Sequence, residues 1–328
     1  MTEGLDLPTY EDVEEAAEIL NGVANLTPVK TSRFLDSQLG VNVFIKCENF
    51  QRIGAFKFRG AYNYLSHLSS EVKSKGVITY SSGNHATATA LAGKELGIDA
   101  TIIIPEDAPK LKIEASKAAG GNVVIYDRYN KKREDVAAEI QAKTGAHVFH
   151  HHKYVLAGQG TTGKELMEQV TERGHGPLDY LFIAIGSGGL ISGCAIVAEK
   201  LAPECKVIGV EPEAGNNTQQ SLEKGEIVRI ETPRTIADGA QTQHIGPTVF
   251  EIVKTKVEKV ITVTDEQLID ELRFFDEKMK LVVEPTGCLG MAGLRKMVKS
   301  GEIPPNSRCG VVITGRNIDM EKYHRLLQ

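Results

Sequence analysis

The chain has 328 residues, 41% hydrophobic and 25% charged, with acidic and basic residues interspersed to a net charge of -5. That composition fits a soluble globular protein with room for about two domains, and it offers no basic stripe that would track a nucleic-acid backbone. No apolar run approaches the roughly 18 residues of a membrane span, and the opening segment MTEGLDLPTYEDVEEA is acidic where a signal peptide is basic and then apolar, so the cytoplasm is expected.

Short β-branched runs then alternate with amphipathic segments. GVITY at 76–80 reads as a strand, followed by a helix from about Asn84 to Leu96, the strand ATIIIP, a helix from about Lys110, the strand GNVVIY and a helix from about Lys132. After His152 come a helix near 160–170, the strand YLFIAI, a helix after Gly189, the strand CKVIGVEP and a last strand CGVVIT at 309–314. Strand and helix in alternation predict parallel strands with crossover helices, hence an α/β fold with two doubly wound open-sheet domains. The strand grouping puts 1–66 and 149–328 in a large domain and 67–148 in a small one. Five cysteines, Cys47, Cys194, Cys205, Cys288 and Cys309, form an odd set without C-x-x-C spacing and read as reduced and structural.

Three stretches could carry chemistry. AIGSGGLISG at 184–193 is a glycine-rich turn between a strand and a helix, where backbone N–H groups and a helix N-terminus favour a phosphate. It lacks the Lys-Ser/Thr of a nucleotide P-loop, fails G-x-G-x-x-G at Ile191 and fails G-x-S-x-G at Ile185. A glycine turn that serves only tight packing is the alternative. YSSGNHATA at 80–88 places hydroxyls, an amide and a histidine at a helix start, which suits a carboxylate, although ordinary N-capping uses the same residues. RIGAFKFRGAYN at 52–63 sets Lys57 between two phenylalanines; burial would make that amine a nucleophile, whereas a solvated lysine beside a surface Arg59 is the plainer reading. Taken together, an amine, a phosphate cradle without nucleotide machinery and a carboxylate cup suit pyridoxal phosphate, whose aldehyde takes a lysine imine.

The motifs GAFKFRGA, SSGNHA, VLAGQGTTGKE, GSGGLISG, GVEPEAGNNTQQS, TIADGAQTQH, VVEPTG and ITGRNIDM occur in an order that resembles the fold-type II pyridoxal phosphate enzymes. The likeness runs over nearly the whole chain. It is strongest to the serine racemase and serine/threonine dehydratase branch, whose microbial members include 3-hydroxyaspartate ammonia-lyases. The resemblance implies that Lys57 holds the cofactor covalently and acts as base on one face of the substrate, with Ser82 as acid or base on the other. It implies that Phe56 packs beside the ring, that Asn84 bonds the ring hydroxyl, and that Gly186, Ser187, Gly188, Gly189 and Leu190 present N–H groups to the phosphate. Thr314 would face the pyridine nitrogen, and Ser81, Ser82, Gly83, Asn84 and His85 would form the carboxylate cup. A neutral hydroxyl at the pyridine nitrogen stabilises negative charge less than a carboxylate partner does, which favours prompt loss of a β-hydroxyl.

The departures matter too. The family's metal ligands fall on Glu211, Gly215 and Asn217, and Asn217 stands where the family has aspartate, so Mg²⁺ or Ca²⁺ should bind more weakly. The run His150–His152 replaces a more usual segment near the site; neighbours in an extended chain point to opposite faces and do not make a zinc site. Thr87 replaces a glutamine, which bears on the nucleotide activation of animal serine racemases, and Arg316 replaces a glycine. Arg133 matches an arginine that approaches the substrate and could pair with a second carboxylate, or it is a solvated helix residue. The expected activity is racemisation and dehydration of serine, with 3-hydroxyaspartate as second substrate and threonine as a further alternative. A homodimer is expected, as are small amino acids as ligands. A non-catalytic pyridoxal-phosphate-binding protein is the reading from another class.

Overall fold

The computed structural model describes residues 5–81, 83–108, 110–149 and 152–328. Ten strands form two sheets: β1 (Val29–Lys30), β2 (Asn42–Cys47), β3 (Val77–Tyr80), β4 (Ala100–Pro105), β5 (Asn122–Tyr126), β6 (His147–Val148), β7 (Tyr180–Ala184), β8 (Lys206–Pro212), β9 (Lys259–Val263) and β10 (Arg308–Ile313). The larger sheet has the order β1-β2-β10-β7-β8-β9 and the smaller one β5-β4-β3-β6. Every pairing is parallel except β1 with β2, an antiparallel edge that the alternation of strand and helix did not announce.

Parallel strands are buried on both faces, and β7 illustrates the consequence. Leu181 and Ile183 point to one side, into a cluster with Leu166, Ile191 and Cys194. Phe182 and Ala184 point to the other, against Leu289, Met291 and Val210. All of these except Ala184 are fully buried, and each large aliphatic or aromatic side chain so buried contributes about 2 kcal/mol.

Three helices meet beneath the larger sheet's cleft edge: Lys57–Ser66, Lys153–Glu172 and Gly189–Leu201. Glycines let them approach closely. A Cβ on Gly193 would stand 2.2 Å from the Leu156 carbonyl, and one on Gly60 would stand 2.7 Å from the Val155 carbonyl. The helix Lys153–Glu172 therefore begins well before residue 160, capped by His152, whose Nδ1 accepts from the Tyr154 N–H at 3.4 Å. Its glycines mark contact points rather than breaks.

Arg59 is not a surface charge. It is fully buried and donates to Glu48 at 2.8 Å and to Glu165 at 2.6 Å. Lys46 Nζ donates to the other oxygen of Glu165 at 2.6 Å. Burial would strip the guanidinium of its proton, but the two carboxylates outweigh it and raise the pKa. This network fixes the first helical turn after Lys57 to β2 and to the helix Lys153–Glu172.

Candidate active site

Lys57 is the first residue of the helix Lys57–Ser66. The chain reaches it through a tight turn, Arg52–Gly54, in which Ile53 takes φ 58° and Gly54 φ 74°. A side chain at Gly54 would collide with Asn317 Oδ1, 2.7 Å from the Cβ position, so glycine answers both the conformation and the crowding. A bridge between Ala55 and Gly315, and a hydrogen bond from the Phe56 N–H to the Thr314 carbonyl at 3.1 Å, tie the lysine's approach to the end of β10. The segments that carry Lys57 and Thr314, 257 positions apart by number, are thus neighbours in the fold.

The amine lies 4.9 Å from the centre of the Phe56 ring. Burial lowers its pKa to about 8, against the opposing pull of the Glu284 carboxylate. Its place at a helix N-terminus, where a positive charge is disfavoured, works in the same direction as burial. A substantial neutral fraction at physiological pH is the property a lysine nucleophile needs.

Thr314 is 2% exposed, and its Oγ1 has no hydrogen-bond partner among the described residues. Buried hydroxyls are ordinarily satisfied, so this one suits a group that completes it, and a pyridine nitrogen is such a group. Opposite, β7 runs into Gly186 and Ser187, both half-exposed, and Gly188 caps the helix Gly189–Leu201 with φ 79°. The first N–H groups of a helix have no partner within it, and this helix starts beyond the carboxyl end of β7, which pairs in parallel with β10, the strand that runs into Thr314. A Cβ on Gly186 would meet the Gly239 backbone carbonyl at 2.6 Å, so that position takes no larger residue, and one on Gly189 would require the Gln159 side chain to move. The residues present therefore fit pyridoxal phosphate: an amine, an unsatisfied hydroxyl and a helix N-terminus.

From the smaller sheet, β3 delivers Ser81 and Gly83, with the Gly83 N–H donating to Ser81 Oγ at 3.3 Å. Asn84 and His85 open the helix Asn84–Leu96, and the His85 ring meets the edge of Phe149 at 4.6 Å. Ser82, the expected second base, lies outside the described residues, as do His150 and His151.

Sequence reasoning missed Glu284 as a site residue. It is 3% exposed, accepts from Asn84 Nδ2 at 2.9 Å and from the Asn317 N–H at 2.9 Å, and burial raises its pKa to about 8, with Asp238 adding to the shift. Asn317 Nδ2 in turn donates to Asn84 Oδ1 at 2.8 Å and to the Ile53 carbonyl at 2.7 Å. This triangle orients the amide expected to meet the ring hydroxyl. The signal was on the page in VVEPTG, a buried-looking run with one carboxylate in it.

Arg133 stands with its guanidinium 4.9 Å from the centre of the Tyr80 ring, at the end of β3, and pairs with Glu134 at 2.9 Å. Arg316 sits 6.0 Å from the Phe50 ring centre, and its N–H donates to the Gly54 carbonyl.

Glu211, Gly215 and Asn217 do come together, but as a hydrogen-bonded knot. Both Glu211 oxygens accept from backbone, from the N–H groups of Thr218 and Gln219 at 3.0 Å each. Asn217 Nδ2 donates to the Gly215 carbonyl at 3.3 Å and to the Thr242 carbonyl at 3.1 Å. An amide donor thus occupies the oxygens that a cation would need, and a single carboxylate is a poor charge set for Mg²⁺ or Ca²⁺. Among the described residues no group of three His, Cys, Asp or Glu side chains could hold a metal ion, and no helix is long and apolar enough to cross a membrane.

Comparison with known proteins agrees with this geometry. Residues 21–315 match the family described as pyridoxal-phosphate dependent enzyme. The chain is 53% identical to a serine racemase of Schizosaccharomyces pombe, covering 100% of this chain and 99% of that protein. It is 49% identical to an L-threo-3-hydroxyaspartate ammonia-lyase of Saccharomyces cerevisiae, covering 98% and 97%. The solved structure of maize serine racemase superposes with a TM-score of 0.91 at 36% identity, covering 97% of this chain and 96% of that one. An α/β chain with a half-buried lysine at a helix start, an orphaned buried hydroxyl at the end of β10 and a glycine turn after the neighbouring β7, and whose whole length matches such relatives, belongs to the fold-type II pyridoxal-phosphate-dependent enzymes, in their serine racemase and ammonia-lyase branch.

Proposed function

We propose that this enzyme racemises serine and dehydrates it to pyruvate and ammonia. The observation that carries the reading is a low-pKa Lys57 whose neighbour Phe56 is bonded through its N–H to the carbonyl of Thr314, the residue with the partnerless hydroxyl. When bound, pyridoxal phosphate supplies an electron sink for the pair left at Cα. The chain's own residues do the rest. Ser81, Gly83, Asn84 and His85 bind the substrate carboxylate, and Lys57 takes the Cα proton on its face. Ser82 returns or removes a proton on the opposite face, which inverts the centre. Loss of the β-hydroxyl as water, followed by hydrolysis that consumes one water, gives the keto acid and ammonia, so the net reaction needs no co-reactant. Thr314 would offer the pyridine nitrogen a neutral hydroxyl rather than a carboxylate, which would favour loss of a β-hydroxyl.

Relatives of nearly equal identity carry the names serine racemase and L-threo-3-hydroxyaspartate ammonia-lyase, which favours the second substrate as well. The reading extends to a homodimer in the cytoplasm, a compartment that suits the five free cysteines. The test is to supply L-serine and follow pyruvate and D-serine. Wild type should make both, and Ser82→Ala should lose D-serine formation while keeping part of the pyruvate. Equal retention of both products would remove Ser82 from the role, and absence of both from wild type would defeat the reading.

A further inference from the structure

Lys112 lies in the helix Lys110–Ala118, which follows β4 of the smaller sheet, at the carboxyl ends of parallel strands where α/β folds bind ligands. Its Nζ reaches out of that sheet's unit to Asp238 Oδ2 at 2.6 Å. Asp238 belongs to a turn, Asp238–Ala240, built against the active site on two sides. The Gly239 N–H donates to Thr286 Oγ1 at 3.0 Å, two residues after Glu284, and the Gly239 carbonyl crowds the Cβ position of Gly186 in the phosphate turn. Both charges are felt by Glu284, Asp238 raising its pKa and Lys112 lowering it, and Glu284 holds Asn84 of the carboxylate cup. The Lys112–Asp238 pair therefore joins the carboxyl end of the smaller sheet to the turn that packs on Gly186 and Thr286. The two side chains are 32% and 36% exposed, so a ligand entering the cleft reaches both.

Resting on the functional reading above, we infer that Lys112 is the cation that receives the second carboxylate of 3-hydroxyaspartate, with Asp238 holding its place in the free enzyme. Lys112 already selects a carboxylate, and when the substrate's carboxylate replaces that of Asp238 the displaced, 36% exposed Asp238 side chain is left to solvent. Serine brings a neutral hydroxymethyl group and leaves the pair intact. Arg133 is the less suited cation for this task, because its guanidinium is engaged with the Tyr80 ring and with its own neighbour Glu134.

The experiment compares kcat/KM for L-threo-3-hydroxyaspartate and L-serine in the full-length, cofactor-loaded enzyme. Lys112→Gln should lower the hydroxyaspartate-to-serine ratio by about tenfold to 100-fold, the range a hydrogen bond to a charged group spans, chiefly through KM for hydroxyaspartate. Lys112→Arg should restore much of the ratio. Asp238→Asn, which frees Lys112, should raise it, and this variant keeps the test open if the glutamine protein does not fold. A wild type that turns over serine but not hydroxyaspartate, or a ratio unchanged in both Lys112→Gln and Asp238→Asn, overturns the assignment and leaves the serine reading standing. A wild type inert on both amino acids overturns the two together.

Discussion

Asn84 Nδ2 donates to Glu284 Oε1 across 2.9 Å, joining the first turn of a helix beside the smaller sheet to the segment that precedes the helix Leu289–Lys299 of the larger one. The carboxyl is buried and its pKa lies at about 8, above the usual 4.5. The folded protein thus keeps a proton that the unfolded chain releases. Its contribution is complete below pH 4.5 and fades as pH rises toward 8. Glu284→Gln should flatten this dependence in the cofactor-free protein, removing a slope of up to about 1 kcal/mol per pH unit in that window. Urea unfolding at several pH values reads it directly, and an unchanged slope would place the titrating group elsewhere.

Lys57 gives a second pH signature. Only the neutral amine attacks an aldehyde, and burial lowers its pKa to about 8. Capture of pyridoxal phosphate by the cofactor-free protein should quicken about tenfold per pH unit below that value and level off above it. Stopped-flow absorbance follows the reaction. A rate that keeps rising toward pH 10 would mean an ordinary solvated lysine.

Arg59 should matter for stability before chemistry. Its removal leaves the fully buried Glu48 without its paired cation, while Glu165, 19% exposed, keeps only Lys46. Arg59→Met should cost about 3 to 5 kcal/mol, and denaturant midpoints with unchanged m-values measure it. A loss below about 1 kcal/mol would show that the network is not holding the Lys57 helix in place.

At Glu211 the knot of hydrogen bonds made by Asn217 predicts an enzyme whose activity and melting temperature ignore a chelator. Asn217→Asp should be less stable without metal, since two carboxylates then share a buried site, and should regain several degrees with millimolar Ca²⁺ or Mg²⁺. Thermal melts with and without the ions check both halves. A wild type that loses activity on chelation would show that a cation displaces the amide.

Much of this was legible in the chain. Strands β3, β4, β5, β7, β8 and β10 announced themselves as continuous β-branched runs, whereas β9 and the two-residue β6 did not, and the glycine turn after β7 stood out by composition. The segment before residue 67 was opaque. β2 reads NVFIKC, and the partners that bury its lysine, Glu165 and the Thr27 carbonyl, lie outside the strand. Arg59 failed for the same reason, since a sequence does not show that a charge will be paired across 106 positions. The site's residue types were visible, but Glu284 and Lys112 act through partners distant in the chain, Asn84 and Asp238, and only the fold brings those together.

The decisive measurement is the absorbance spectrum of the purified enzyme with pyridoxal phosphate, taken with pyruvate release from L-serine, for wild type and Lys57→Ala side by side. Wild type should show the band of a cofactor bound to lysine and should produce pyruvate, and the variant should show neither. A variant that keeps the band and the pyruvate would contradict the assignment of Lys57 and, with it, the site built around it.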